Sequence, residues 1–286
     1  MPSHLIVLGG GYVGLEMAQA FRRFGSRVTV VEQNATLIHR EDPDVTEAVE
    51  ELFRDEGIGV LTGTDVRRVE GRSGESVSLH TTGGVIVGTH LLVAGGRTPN
   101  TDRIGLETAG VETDARGHIK VNDRLQTTAE GVWAVGDCAG SPYFTHISED
   151  DFRVVLANLT GGHRVTTGRQ VPFCLFTDPE LARVGLSERD AHVRGVGYRL
   201  AKVPMEAVLR ARTLSETRGF LKALIEERGD RILGFTAFGA QAGEIMAVIQ
   251  VAMLAGLPYT ALRDAVLTHP TMTEGLAALF SSVPRG

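Results

Sequence analysis

The chemistry-bearing residues begin with a glycine triad. Gly9-x-Gly11-x-x-Gly14 follows an apolar run ending at Leu8, and an acid, Glu32, stands eighteen positions beyond the last glycine. Between a strand and a helix, such glycines make a tight turn, admit the backbone to a pyrophosphate and seat the helix on the strand. The helix N-terminus then favours the anion, and the acid can accept a ribose hydroxyl. A carboxylate at Glu32 would repel a 2′-phosphate, so NADH is favoured over NADPH, with His39 and Arg40 the side chains that could oppose that preference. A second cluster is His269-Pro270-Thr271-Met272-Thr273-Glu274. Histidine titrates near neutrality and a carboxylate can fix its tautomer, which is acid/base chemistry. In isolation the same run also reads as a helix start with Glu274 as capping acid. Gly136-Asp137 is either a turn or a strand-end carboxylate able to accept sugar hydroxyls.

The two cysteines, Cys138 and Cys174, lie far apart and form no local pair, so a dithiol within these residues is excluded and neither reads as a nucleophile. No metal site is expected.

These groups need elements to hold them. Apolar Leu5–Leu8, an amphipathic stretch Tyr12–Phe24, apolar Val28–Val31 and a helical pattern Asp44–Glu56 alternate as βαβ, which implies a parallel sheet. Short alternating runs between Val66 and Val87, broken at Ser73-Gly74 and Gly83-Gly84, imply an antiparallel meander inserted before a strand at Leu91–Ala94. Strands are expected at His118–Val121 and Val132–Val135, then a helix from about His146 to Leu159. Beyond Val171 the pattern becomes α+β, with strands at Pro172–Phe176, Tyr198–Val203, Phe220–Glu226 and Ile232–Phe238. The stretch Gln241–Leu254 is apolar on nearly every face, so it must be covered on more than one side, and a subunit interface is one way to do so.

A chain of 286 residues is long enough for more than one core. A net charge of −6 argues against a nucleic-acid partner, which needs a concentrated basic face. No apolar run reaches the roughly 18–20 residues that cross a bilayer, and the expected location is the cytoplasm.

The residues then resemble a family. Gly9-Gly10-Gly11-Tyr12-Val13-Gly14-Leu15-Glu16 is similar to the NAD motif of the pyridine-nucleotide-disulfide oxidoreductases that include dihydrolipoyl dehydrogenase, glutathione reductase and mercuric reductase. The resemblance extends the expected NAD contacts to Gly10, Tyr12, Val13, Glu16, Val66 and Gly96, and implies that Glu16 pairs with a lysine beside a flavin. Ala94-Gly95-Gly96-Arg97-Thr98-Pro99-Asn100 resembles the junction leaving the NAD domain, and Thr127 through Asp137 resembles the second FAD motif. By that likeness Gly136 and Asp137 bind the ribityl region of FAD, and Thr145 lies at a helix N-terminus directed at the flavin. His269, held by Glu274, would be the acid/base acting on a redox thiol of the other subunit of a homodimer.

The implied architecture is α/β: a Rossmann-type NAD-binding domain over 1–97, a returning piece of an FAD domain over 98–168, and an α+β dimerisation domain over 169–286. Family members open with an FAD-binding βαβ unit carrying a Cys-x4-Cys pair, and the chain is expected to lack that segment, leaving only a partial FAD site and an inactive fragment. Arg40-Glu41-Asp42-Pro43 and Thr271 to Leu276 look closest to mercuric reductase, yet that branch replaces the histidine with tyrosine and ends in Cys-Cys, whereas this chain keeps His269 and ends Ser281 to Gly286. Dihydrolipoyl dehydrogenases carry a second histidine where Leu267 stands. The implied substrate is a small disulfide or oxidant. Two other readings are a non-catalytic NAD-binding dimerisation module and a related NADH oxidase or ferredoxin reductase; the His269/Glu274 pair speaks against the last, which has no thiol to protonate.

Overall fold

The computed structural model describes residues 1–285. Its chain divides into two compact units, one built from Met1–Gly95 together with the residues from Pro172 onward, the other from Gly96–Val171.

The first unit starts with β1 (His4–Leu8), α1 (Tyr12–Arg23), β2 (Arg27–Val31), α2 (Pro43–Asp55) and β3 (Gly59–Leu61). The meander β4 (Val66–Arg72), β5 (Ser76–Thr81) and β6 (Gly84–Gly88) follows, then β7 (His90–Val93). The parallel sheet runs β3-β2-β1-β7, and the meander forms its own antiparallel sheet, β4-β5-β6. Central β1 is buried along Leu5, Ile6 and Val7 because a parallel strand is covered on both faces. Leu8 pairs with both Val31 and Val93, so the chain leaves three adjacent strands at one edge, where the glycine loop and Glu32 meet. Pro43 starts α2 behind Asp42, with a fixed φ suited to a first helical turn.

The second unit has little regular structure: a 3₁₀ turn at Gly136–Ala139 and one long helix, α3 (Thr145–Leu159). The strands expected at His118–Val121 and Val132–Val135 do not form ladders. Only isolated bridges occur, Thr113 with Ile119 and Gln126 with Trp133. Gly110, Gly117 and Gly131, all at positive φ, turn the chain before a longer pairing can register.

The first unit resumes with β8 (Phe173–Leu175), β9 (Glu180–Gly185), α4 (Glu188–Arg194), β10 (Tyr198–Pro204), α5 (Leu209–Leu214), β11 (Phe220–Glu226), β12 (Ile232–Gly239), α6 (Ala242–Leu254), α7 (Tyr259–Arg263) and α8 (Gly275–Ser281). The strands form one antiparallel sheet, β10-β11-β12-β9-β8. Helix α6 starts one residue later than its apolar pattern, because Gln241 takes a left-handed φ of 58° at the cap. It buries Ala242, Ile245, Met246, Ile249 and Ala252 but leaves Val251 and Leu254 exposed. Within one chain, therefore, α6 is covered on one side only.

Candidate functional site

Each glycine of the triad meets a different constraint. Gly9 sits at φ +114°, and a Cβ there would lie 2.5 Å from the Ala94 carbonyl oxygen. At Gly14 a Cβ would lie 2.1 Å from the Gly9 carbonyl oxygen, so this glycine lets helix and loop touch. Around the Cβ direction of Gly11 nothing lies within 4 Å. Gly11 is also the N-cap of α1 and brings no side chain to its first turn, so that turn's backbone donors suit an anion.

Glu32 follows β2 and is 7% exposed. Its Oε2 accepts the Gly10 N–H at 2.6 Å, and its Oε1 accepts the Asn34 backbone N–H at 2.7 Å and the Asn34 side-chain amide. Gly10 is thus joined to the acid through its amide. Tyr12 begins α1, stacks on Phe173 with centroids 5.0 Å apart and donates its hydroxyl to Glu41 at 3.1 Å. Burial, then the Glu41 carboxylate, pushes that phenol above its ordinary range. Val13 is exposed on the first turn of the helix, whereas Glu16 accepts the Phe176 N–H at 2.9 Å. Val66 begins β4, and Gly96, at φ +124°, opens the second unit.

In the second unit Gly136 donates its N–H to the buried Asp151 carboxylate at 2.8 Å, and a Cβ there would meet Ser148 Oγ at 2.7 Å. Asp137, in the same turn, accepts Arg97 at 3.2 Å and keeps nearly half its side-chain surface exposed, which leaves room for a sugar hydroxyl. The Arg97 guanidinium lies 6.0 Å over the Tyr143 ring. Tyr143 shares a 2.6 Å hydrogen bond with His118 Nε2, and Asp114 lies 3.1 Å from His118 Nδ1. Thr145 is exposed at the start of α3, behind Phe144, which contributes no side-chain cap. His146 stacks on Phe144 with centroids 5.2 Å apart.

His269 and Glu274 meet in the first unit. Nδ1 lies 2.7 Å from Oε1, and this bond holds the Glu274 carboxyl below its usual range. The carboxylate can only accept, so Nδ1 is the donor of this bond and Nε2 is the ring nitrogen left for proton exchange. No hydrogen bond reaches Nε2 among the described residues, and the histidine side chain is 59% exposed. Glu274 makes no side-chain cap bond to α8 but closes the turn before it: its Oε2 accepts the Thr271 N–H at 3.5 Å, while Thr271 Oγ1 accepts the Glu274 N–H at 3.3 Å. One carboxylate thus both closes the turn and orients the imidazole.

The structure adds a cluster that sequence reasoning missed. Lys222, fully buried in β11, donates to Asp42 at 2.8 Å, Asp44 at 2.7 Å and Glu188 at 3.0 Å. Asp42 also accepts the backbone N–H groups of Glu188 and Arg189 at the start of α4. Burial alone would raise the Asp42 carboxyl, but Lys222 and those N–H donors outweigh it and hold it low. The three carboxylates lie close enough to suggest a cation site, and the ammonium of Lys222 supplies the positive charge there. The signal available in sequence was one lysine inside an apolar strand, a charge that must be paired. Burial, then the nearby Glu180, Glu16 and Glu244, pushes the Cys174 thiol up to about 12, which makes it a poor nucleophile. A cavity of about 420 Å³ lined by Val196, Gly197, Glu226, Arg228 and Leu233 opens beside the β11–β12 turn and shares no residue with the glycine loop. Among the described residues no helix is long and apolar enough to cross a membrane.

Residues 1–151 match the pyridine nucleotide-disulphide oxidoreductase family, and residues 171–279 match the dimerisation domain of the same family. The chain is 39% identical over 285 residues to the probable pyridine nucleotide-disulfide oxidoreductase RclA of Escherichia coli (strain K12), covering 99% of this chain and 64% of that protein. It is 36% identical to a mercuric reductase of Shewanella putrefaciens, covering 96% of this chain and 49% of that protein. Among solved structures, the HOCl-induced flavoprotein disulfide reductase RclA from Escherichia coli superposes with a TM-score of 0.93 at 39% identity, covering 99% of this chain and 65% of that one. The chain therefore spans 49% to 65% of the length of these relatives.

Proposed function

The chain belongs to the pyridine nucleotide-disulphide oxidoreductase family, and from that premise we propose that it works in transfer of hydride from NADH, by way of FAD, to a disulfide or related thiol-reducible substrate. Residues 1–97 would bind NAD, 98–168 would form part of an FAD domain, and 169–286 would make the homodimer contact. Gly9, Gly11 and Gly14 would let the pyrophosphate approach α1, with Tyr12, Val13 and Val66 around it and Glu32 accepting the ribose. Asp137 would take a ribityl hydroxyl of FAD near Gly136 and the Thr145 helix start, and Glu16 would pair with a lysine beside the flavin. Bound FAD would supply two-electron chemistry between nicotinamide and dithiol. Neither Cys138 nor Cys174 suits the dithiol role, so the redox pair would come from outside these residues.

One observation carries the reading: His269 Nδ1 is committed to Glu274 at 2.7 Å while the rest of the imidazole, with Nε2, is exposed. Such a group can hold and release the proton of a thiol, and its protonated form favours the thiolate that attacks disulfides. The test supplies a dithiol-bearing FAD segment and compares the wild-type chain with His269→Gln. Disulfide-reducing turnover is expected to fall about 10²–10⁴-fold, the usual worth of a positioned acid/base, with flavin reduction by NADH much less affected. Unchanged turnover would leave His269 as a turn residue. A second reading, a non-catalytic NAD-binding dimerisation module, draws on the two unpaired cysteines; it wins if no supplied segment restores turnover.

A further inference from the structure

A carboxylate offers about four acceptor positions. Three of those on Glu32 are occupied within the protein: one on Oε2 by Gly10, two on Oε1 by the backbone and side chain of Asn34. Glu32 has little room to turn away from these donors, being 7% exposed and joined through its carbonyl oxygen to the Thr64 N–H at 2.9 Å. Asn34 is tied down in the same way, its carbonyl oxygen accepting the Gly63 N–H at 2.8 Å. The other flank is closed by Ile38, whose N–H donates to the Gly10 carbonyl oxygen at 2.9 Å. One acceptor position, on Oε2, is left for a ligand, which suits a single hydroxyl rather than the two of a ribose diol.

The second acceptor belongs to Asn34, whose backbone N–H and side-chain amide both bond the other carboxylate oxygen, Oε1. The Asn34 amide must direct Nδ2 at the carboxylate, because the reverse orientation would set an oxygen against an oxygen. Oδ1 is then turned off the carboxylate, and no hydrogen bond reaches it among the described residues. We propose that Asn34 is a specificity-determining residue of the dinucleotide site, its Oδ1 and the free position on Glu32 Oε2 forming an acceptor pair for the two hydroxyls of the adenosine ribose. The two oxygens accept hydrogen bonds, which suits the hydroxyls of a diol, and the charge of Glu32 disfavours a 2′-phosphate, which is itself an acceptor carrying negative charge. The inference rests on the nucleotide reading above and adds to it the residue that completes the ribose contact.

The test titrates the intact chain with NADH, NADPH and NADH analogues lacking the adenosine 2′- or 3′-hydroxyl, following nicotinamide fluorescence. Wild type is expected to bind NADH best, with each deoxy analogue weaker by about tenfold, the value of one hydrogen bond near 1.4 kcal/mol. Asn34→Ala should weaken NADH by about tenfold and narrow its advantage over NADPH. On one of the two deoxy analogues that variant should cost nothing further, since the hydroxyl it reads is already gone. An equal loss on all four ligands would make Asn34 a structural residue and overturn the proposal. Wild-type affinities unaffected by removing either hydroxyl would overturn it without any variant. If wild type binds no dinucleotide at all, the nucleotide reading itself falls, an outcome distinct from either of the others.

Discussion

Asp42 and Asp151 are both buried carboxylates, and the two units of the molecule hold them by different means. In the first unit Asp42 is met by the Lys222 ammonium, 180 positions away in sequence, and by two N–H groups at the start of α4. In the second, Asp151 is met from within 18 positions by the Gly136 N–H, the Ser141 hydroxyl and Arg169. The apolar content differs likewise. The first unit has extended cores around β11–β12 with α6 and around β1–β2 with α1, whereas the second has a small cluster at Val111, Ile119 and Ala134. Phe152, Leu156 and Leu159 stay exposed along α3, and buried polar atoms of Trp133, Asn158 and Gln170 have no hydrogen-bond partner. A fold that joins distant segments depends on a few long-range charges. A unit made of successive turns depends on local donors.

The severest break of that comparison is Lys222→Met. It leaves Asp42, Asp44 and Glu188 facing one another without the central cation. Removing one partner of a buried ion pair costs about 3–5 kcal/mol, to be read as a lower urea midpoint of the first unit. Adding Asp42→Asn and Asp44→Asn to that background should recover part of the loss. Acid sharpens the same point. The Asp42 and Asp44 carboxyls are raised by burial but held lower still by their hydrogen bonds to Lys222, with Lys202 also bonded to Asp44. Their folded values thus lie below the unfolded value of about 3.9, so the stabilisation is complete above that pH and declines as pH falls through the folded values. In Lys222→Met burial is left to raise these carboxyls, so the variant should show the opposite trend and the wild-type advantage should shrink already as pH falls towards about 4. A variant equally destabilised at all pH values would mean the lysine acts through packing.

How much of this was legible depended on where the physical constraint lies. The glycine triad and Glu32 are visible because a tight turn between strand and helix imposes its own spacing on neighbouring residues. The βαβ alternation, the meander and the late antiparallel strands are visible because burial imposes periodicity. Lys222 showed only as an oddity inside β11, since its partners come from α2 and α4 and tertiary register alone brings them together. Nothing in the spacing singles out Asn34; its significance comes from the carboxylate it touches. His118–Val121 and Val132–Val135 read as strands from four-residue alternation, but alternation does not supply a partner strand, and the positive-φ glycines around them prevented one. His269 and Glu274 are legible together from their spacing, and in place of a helix cap the carboxylate closes the turn before α8 alongside the pairing.

A middle-sized effect is expected from Asp151→Asn. The substitution keeps the volume but turns a charged acceptor of three donors into an amide, and hydrogen bonds to a charged group contribute about 1.5–3 kcal/mol. Because those donors are local, amide exchange should accelerate through the 136–141 turn and α3, while β11 and β12 keep their protection. Faster exchange in β11 as well would mean that the two units unfold together, and the contrast drawn between them would fail.

The smallest expected change in stability comes from Val251→Ser with Leu254→Ser on α6. Both side chains are about two-thirds exposed, whereas Ala242, Ile245, Met246, Ile249 and Ala252 hold the other side of the helix in the core. Surface substitutions of this kind usually stay within about 0.5 kcal/mol for the fold, so the melting curve should barely move. Self-association should respond differently. If this side of α6 is buried between two copies, as proposed for residues 169–286, each apolar side chain loses up to about 1.5–3 kcal/mol of burial on truncation. The dimer dissociation constant should then rise at least tenfold in sedimentation equilibrium, since about 1.4 kcal/mol is a factor of ten. A dimer that persists unchanged would place the contact on another surface and leave the apolarity of α6 without a role in assembly. A large drop in melting temperature would instead show that Val251 and Leu254 support their own subunit, and α6 would belong wholly to the long-range core that distinguishes the first unit.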